Sequence, residues 1–82
     1  MWDKGIIEIG KDMFIYHAKV FALPSEFGIN CGRISKLEIR RQSDDTIVVQ
    51  YDREWVVRPK TKVDELALQR VLDIYPIIDE WT

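Results

Sequence analysis

The sequence predicts an α+β domain: an antiparallel sheet of four to five strands in a meander, with one C-terminal helix packed on one face. Three observations carry that expectation. From Phe14 to Leu23 apolar residues alternate with mixed ones, which is the two-residue period of a half-buried strand. Only one stretch, Lys62 to Tyr75, has the spacing of an amphipathic helix. Most spacers between the strand-like runs are short and carry turn formers, so strands come first, joined as hairpins, and a helix comes last.

The elements follow in chain order. Ile6, Ile7 and Ile9 make a short apolar first strand that Gly10-Lys11-Asp12 turns. In the second, Phe14, Tyr16, Ala18, Val20 and Ala22 share one face, expected in the core. Ile15, His17, Lys19 and Phe21 share the other, expected half exposed. Pro24 ends the run by removing a ladder donor. Arg33 to Arg41 is the third strand, with Ser35, Leu37 and Ile39 inward and Lys36, Glu38 and Arg40 outward. Ile34 is out of step, so a bulge is expected near the start. Ser43-Asp44-Asp45 is a turn, and Thr46 to Asp52 is the fourth strand with Ile47, Val49 and Tyr51 inward. Trp55-Val56-Val57-Arg58 is a short fifth strand that Pro59 closes. Thr61 is the expected N-cap of the helix, with Asp64 and Glu65 where the positive end of the helix dipole favours acids. Val63, Leu66, Ala67, Val71, Ile74 and Tyr75 form its apolar stripe, widened by Leu68 and Leu72, with the stem of Arg70 along it. Leu66, Val71 and Tyr75 are expected to meet the inward residues of strands two to four. Pro76 stops the helix and opens an apolar tail over 76–82.

At 82 residues the chain reads as a single domain, 1–82, with one core. A hydrophobic share of 46% excludes a disordered chain, and a net charge of −2 argues against a general polyanion binder. Charge is uneven: residues 33–62 carry +3 and residues 63–82 carry −4. One cysteine, Cys31, excludes an internal disulfide, and one histidine, His17, leaves little for a metal cluster. No leader is expected from Met1-Trp2-Asp3-Lys4-Gly5, and no apolar run approaches the roughly 20 residues of a membrane span. The expected setting is the cytoplasm, without a membrane partner.

No catalytic residue, cofactor site or metal site is assigned. His17, Ser35 and Asp52 are the residue types of a hydrolytic triad, but no sharp Gly-flanked nucleophile turn accompanies them, and Ser35 and His17 point to opposite faces. Gly28-Ile29-Asn30-Cys31-Gly32-Arg33 resembles a phosphate cradle only in composition, because a strand follows it instead of a helix. Partner binding is the better expectation. The segment Leu23 to Gly32 is too long for a tight hairpin and mixes turn formers with Phe27 and Ile29, as contact loops do. Trp2, Trp55 and Trp81 sit near element ends, and tryptophan is enriched at interface centres. Tyr51-Asp52-Arg53-Glu54-Trp55 is a charged corner between two aromatics. The candidate partner-binding residues are therefore Phe27, Ile29, Arg33, Arg53, Trp55 and Trp81. Ile77, Ile78 and Trp81 are expected to cover Ile15, Phe21 and Val48 on the outer face; the alternatives are that the tail docks on a second copy or that an exposed sheet edge pairs with a partner.

Pro24-Ser25-Glu26-Phe27-Gly28-Ile29 and Gly32-Arg33-Ile34-Ser35-Lys36-Leu37, taken with Tyr51 to Trp55, resemble a family of small uncharacterised proteins. They occur in prophages and other mobile elements of Gram-positive bacteria. The resemblance runs from Trp2 to the helix and implies a domain of unknown function, from which no catalytic residue carries over. Its pattern reads Asp-Arg-Gly-Trp where this chain has Glu54, so a positive-φ corner at that position is not expected to carry over. The resemblance implies a phage or mobile-element accessory or anti-defence factor.

The expected function is thus a non-enzymatic protein-interaction module that binds another protein or itself, a homodimer included. The alternative is a weak single-stranded nucleic-acid-binding domain that uses His17, Lys19, Phe21, Lys36 and Arg40 on the outer sheet face. Glu38 and Asp52 on the same face count against it.

Overall fold

A computed structural model of the chain describes residues 2–23, 26, 28–29 and 32–75. Five strands, β1 (Trp2–Ile9), β2 (Asp12–Val20), β3 (Ile34–Arg41), β4 (Ile47–Asp52) and β5 (Trp55–Val57), precede one helix, α1 (Lys62–Ile74). The strands pair antiparallel in the order β1-β2-β3-β4-β5, which is the meander that the turn spacing predicts. β1 is longer than its apolar run, because its charged start pairs with β2 as far as Trp2↔Lys19. At the first hairpin Gly10 has φ +61, a left-handed conformation that a glycine at the first central position of a two-residue turn adopts without strain.

The core lies between one sheet face and α1. Phe14, Tyr16, Ala18 and Val20 of β2 face it with Ile34, Leu37 and Ile39 of β3, Val49 and Tyr51 of β4, and Ala67 and Val71 of the helix. Ala22 falls beyond the end of β2 and is exposed, so the inward series stops at Val20. The bulge expected near Ile34 is present. Lys19 faces Lys36 and Val20 faces Ile34, which leaves Ser35 as the extra residue. Both Ile34 and Ser35 are then buried, and the Ser35 carbonyl accepts the Arg53 N–H at 3.0 Å.

A second bulge changes β4. Ile39 faces Val49 and Arg40 faces Ile47, so Val48 is the extra residue. Ile47 therefore shares the outer face with Arg40 and is half-buried, while Val48 belongs to the core. The expected inward place of Ile47 and outer place of Val48 are both corrected by this one-residue slip.

The helix starts where expected. Thr61 is the N-cap and its hydroxyl accepts the Asp64 N–H at 3.1 Å, with Asp64 and Glu65 in the first turn. Its roll differs from the expected stripe. Ala67 and Val71 are buried and Val63, Leu68, Leu72 and Tyr75 pack beside them, but Leu66 is 46% exposed and Ile74 and Arg70 also face outward. Asp64 takes an inward place and lies 3.6 Å from Nη2 of Arg41 on β3. That ion pair holds the start of the helix over the sheet. The helix packs chiefly against β1, and touches β3 and β4. Its C-cap Tyr75 stands over β2 and β1: the ring lies edge-on to Tyr16 at 6.3 Å, the two hydroxyls are 3.2 Å apart, and the Tyr75 hydroxyl donates to Asp3.

Burial, followed by Asp3 and Tyr16, pushes the Tyr75 phenol well above its ordinary pKa of 10.0. The neutral phenol is thus favoured in the folded chain. Its contribution is complete below pH 10 and is lost as pH rises from about 10 through the higher folded value, since the unfolded chain releases the proton first. Urea unfolding at pH 8 and pH 11 is expected to show a steep alkaline fall that Tyr75→Phe makes shallower. An equal fall in both proteins contradicts the Asp3–Tyr75–Tyr16 chain.

Candidate functional site

The side of the sheet opposite the helix is built by the other half of the strand alternation. Register stacks its residues in rows across the strands. One row runs Trp2, Lys19, Lys36, Asp52; the next runs Lys4, His17, Glu38, Gln50, Val57; a third runs Ile6, Ile15, Arg40, Ile47. No described element covers this face. Trp2 is 59% exposed and Ile6 61%, and Met13 and Phe21 are exposed at its margins. An open depression of about 390 Å³ lies on it, with Trp2, His17, Lys36, Glu38, Gln50 and Asp52 among its walls.

Most cations of this face already have partners. Lys36 Nζ lies 3.7 Å from Asp52 Oδ1, its cross-strand neighbour. Arg40 Nε donates to Glu38 Oε2 at 2.7 Å and Arg40 Nη1 lies 3.4 Å from Asp45. Glu38 first, then Asp45, raises the Arg40 pKa above its ordinary value. Lys19 sits over the Phe21 ring, Nζ 5.8 Å from its centroid. The face is therefore charge-balanced, with apolar and aromatic groups toward its edges.

The two expected residue sets fare differently in space. His17, Lys19, Phe21, Lys36 and Arg40 come together on this one face. Of the expected partner-binding set, Phe27 and Trp81 lie outside the described residues, as do Cys31 and the 76–82 tail. Ile29 is 3% exposed and belongs to the core cluster, so the loop turns it inward, with Gly32 N–H donating to the Ile29 carbonyl at 2.9 Å. A fully buried side chain offers no contact surface, and this corrects its expected role. Arg33 Nε donates to the Phe21 carbonyl and the Phe21 N–H donates to the Arg33 carbonyl, so Arg33 closes the end of the β2–β3 pair. Trp55 is half-buried, edge-on to Tyr51 at 5.2 Å, with the Arg58 guanidinium 5.1 Å from its ring. Arg53 is exposed at φ +63, so the left-handed corner is at 53 and Glu54 does not have to supply it.

Ser35 faces the core side and its hydroxyl is 3.5 Å from the Lys19 carbonyl, whereas His17 and Asp52 line the outer depression. The three do not converge. Among the described residues no three His, Cys, Asp or Glu side chains are placed to hold a metal ion. Among the described residues no helix is long and apolar enough to cross a membrane.

Trp2 and Ile6 are exposed outer-face residues that the strand pattern undervalues. The extension of β1 back to Trp2 puts both on the outer face, and only pairing with Lys19 and Ile15 reveals it. The family described as Domain of unknown function (DUF7678) matches residues 1–76. No curated protein and no solved structure matches the chain.

Proposed function

The chain belongs to that family, and we propose that it is a non-enzymatic protein-interaction module whose contact surface is the open sheet face. The observation that carries this reading is a face that no described element covers, exposing Trp2, Ile6, Met13 and Phe21 around Lys36 and Arg40, which are already paired. Exposed aromatics and aliphatics on one side of a small domain mark a docking surface for a protein. The fitting partner presents an apolar surface flanked by charges of both signs. The resemblance of the 24–37 and 51–55 segments to prophage proteins supports a role as a mobile-element accessory or anti-defence factor. The single cysteine supports a cytoplasmic setting.

Affinity capture from host lysate tests this. A specific protein is expected with the wild-type chain and with Leu66→Glu on the helix, and is expected to be lost with Phe21→Glu. Equal retention by all three, or none, contradicts the reading. A second reading, single-stranded nucleic acid on the same face, is supported by the gathering of His17, Lys19, Phe21 and Lys36 beside Trp2. It requires oligonucleotide binding that weakens steeply with salt and is lost in Lys36→Glu. The ion pairs of Lys36 and Arg40 favour the protein.

A further inference from the structure

The two edges of the sheet are unlike. At one end β5 has three residues, a register shift against β4 and Pro59 just beyond it, all of which make a poor template for another strand. At the other end β1 has eight residues that pair with β2 in unbroken register from Trp2↔Lys19 to Ile9↔Asp12, with no proline and no bulge. No described strand pairs with this long regular edge, and such an edge is a template for another strand.

The direction of its backbone groups follows from β2. The Gln42 N–H donates to the Met13 carbonyl and the Phe21 N–H to the Arg33 carbonyl, so the odd residues of β2 turn their backbone toward β3. The even ones turn toward β1, where their partners are Ile9, Ile7, Gly5 and Asp3. Trp2, Lys4, Ile6 and Glu8 therefore aim N–H and C=O at the open edge. The same four side chains lie on the outer face and are exposed.

We infer that β1 pairs antiparallel with β1 of a second copy, about a two-fold axis through Ile6. Among registers that join outward backbone groups, this one sets Lys4 opposite Glu8 of the partner subunit, twice by symmetry, and Ile6 opposite its own twin. Neither Lys4 nor Glu8 has an ion-pair partner among the described residues, whereas Lys36, Arg40 and Arg41 do. Ile6 between them is 61% exposed, and its pairing removes apolar surface from water. Shifting the centre to Lys4 opposes like charges, and shifting it to Gly5 or Ile7 leaves Lys4 and Glu8 apart. The Lys4 N–H now donates to its neighbour Asp3 Oδ1 at 3.0 Å, a local bond that the partner strand replaces. The product is a continuous ten-stranded sheet in which two open faces become one wider surface.

This assignment concerns the edge, not the face, and its test is separate from affinity capture. Light scattering after size exclusion, from micromolar to near-millimolar chain, is expected to give a dimer mass that dilution reverses. Ile6→Pro removes an N–H that the single chain does not use and is expected to give a monomer with an unchanged circular dichroism spectrum. Lys4→Glu sets like charges opposite each other twice and is expected to weaken the dimer about tenfold. Lys4→Glu with Glu8→Lys is expected to restore it. A wild-type monomer throughout, or a dimer indifferent to the charge reversal and its rescue, overturns the proposal.

Discussion

Phe14→Ala is expected to cost about 3–5 kcal/mol of folding stability, the range for truncating a buried phenylalanine. Phe14 is 0% exposed and lies between Ile7 of β1 and the stem of Arg41 of β3 on the helix side of the sheet. Its removal leaves a cavity that the flanking strands cannot close without breaking register. Small domains have roughly 5–15 kcal/mol in all, so much of the margin goes with one ring. Phe21→Ala is the matched control. That ring is 40% exposed on the other face, with Lys19 over it and no core around it, and its loss is expected to cost under about 1 kcal/mol. Urea unfolding of both variants distinguishes the two faces. Equal losses contradict the assignment of core and surface.

Gly5→Ala is the second large effect, because a single methyl group has nowhere to go. A Cβ built at Gly5 falls 2.7 Å from Cε2 and 2.9 Å from the hydroxyl oxygen of Tyr16. Tyr16 cannot swing aside freely. It is 5% exposed, and Tyr75 stands edge-on to it with its hydroxyl 3.2 Å away. The expected cost is about 1–3 kcal/mol, as for other overpacked interiors. The cause is testable by a double-mutant cycle. In a Tyr16→Leu background the same Gly5→Ala change is expected to cost much less, because the obstructing ring is gone. Additive losses place the strain in the β1 backbone and not in the ring contact.

Gly5 also shows what a chain read in one dimension conceals. Its need for a missing side chain arises from a tyrosine on the next strand, and nothing local to Trp2–Ile9 announces it. The strand order, the hairpins, the Ser35 bulge and the Thr61 cap were all visible, because each rests on alternation or on turn and cap chemistry within a few residues. The Val48 bulge was not, since the run from Ile47 to Tyr51 carries apolar residues at both parities and either phase satisfies it. The helix roll is not legible in the sequence for a related reason. Leu66 and Ile74 are as apolar as Val63 and Val71, so hydrophobicity left the facing angle open. The deciding contacts are Asp64 with Arg41 and Tyr75 with Tyr16, which join residues far apart in sequence.

The candidate surface follows the same logic. The outer face was foreseen from the β2 and β3 alternation, and His17, Lys19, Phe21, Lys36 and Arg40 share it. That Lys36 and Arg40 are neutralised by Asp52, Glu38 and Asp45 depends on cross-strand register and on the β3–β4 turn. The long loop behaved differently. Ile29 reads as a contact residue by its setting among turn formers, but it is buried in the core cluster.

The helix closes one face of the sheet, and no described element covers the other. Methyl resonances in the presence of a soluble paramagnetic agent measure this directly, at a concentration where the chain is monomeric. Ile6 and Met13 are expected to broaden strongly, while Ile39, Val49 and Val71 stay sharp. Ile6 and Met13 as sharp as Ile39 would mean that the outer face is already covered within the chain, and the proposed contact surface would not exist.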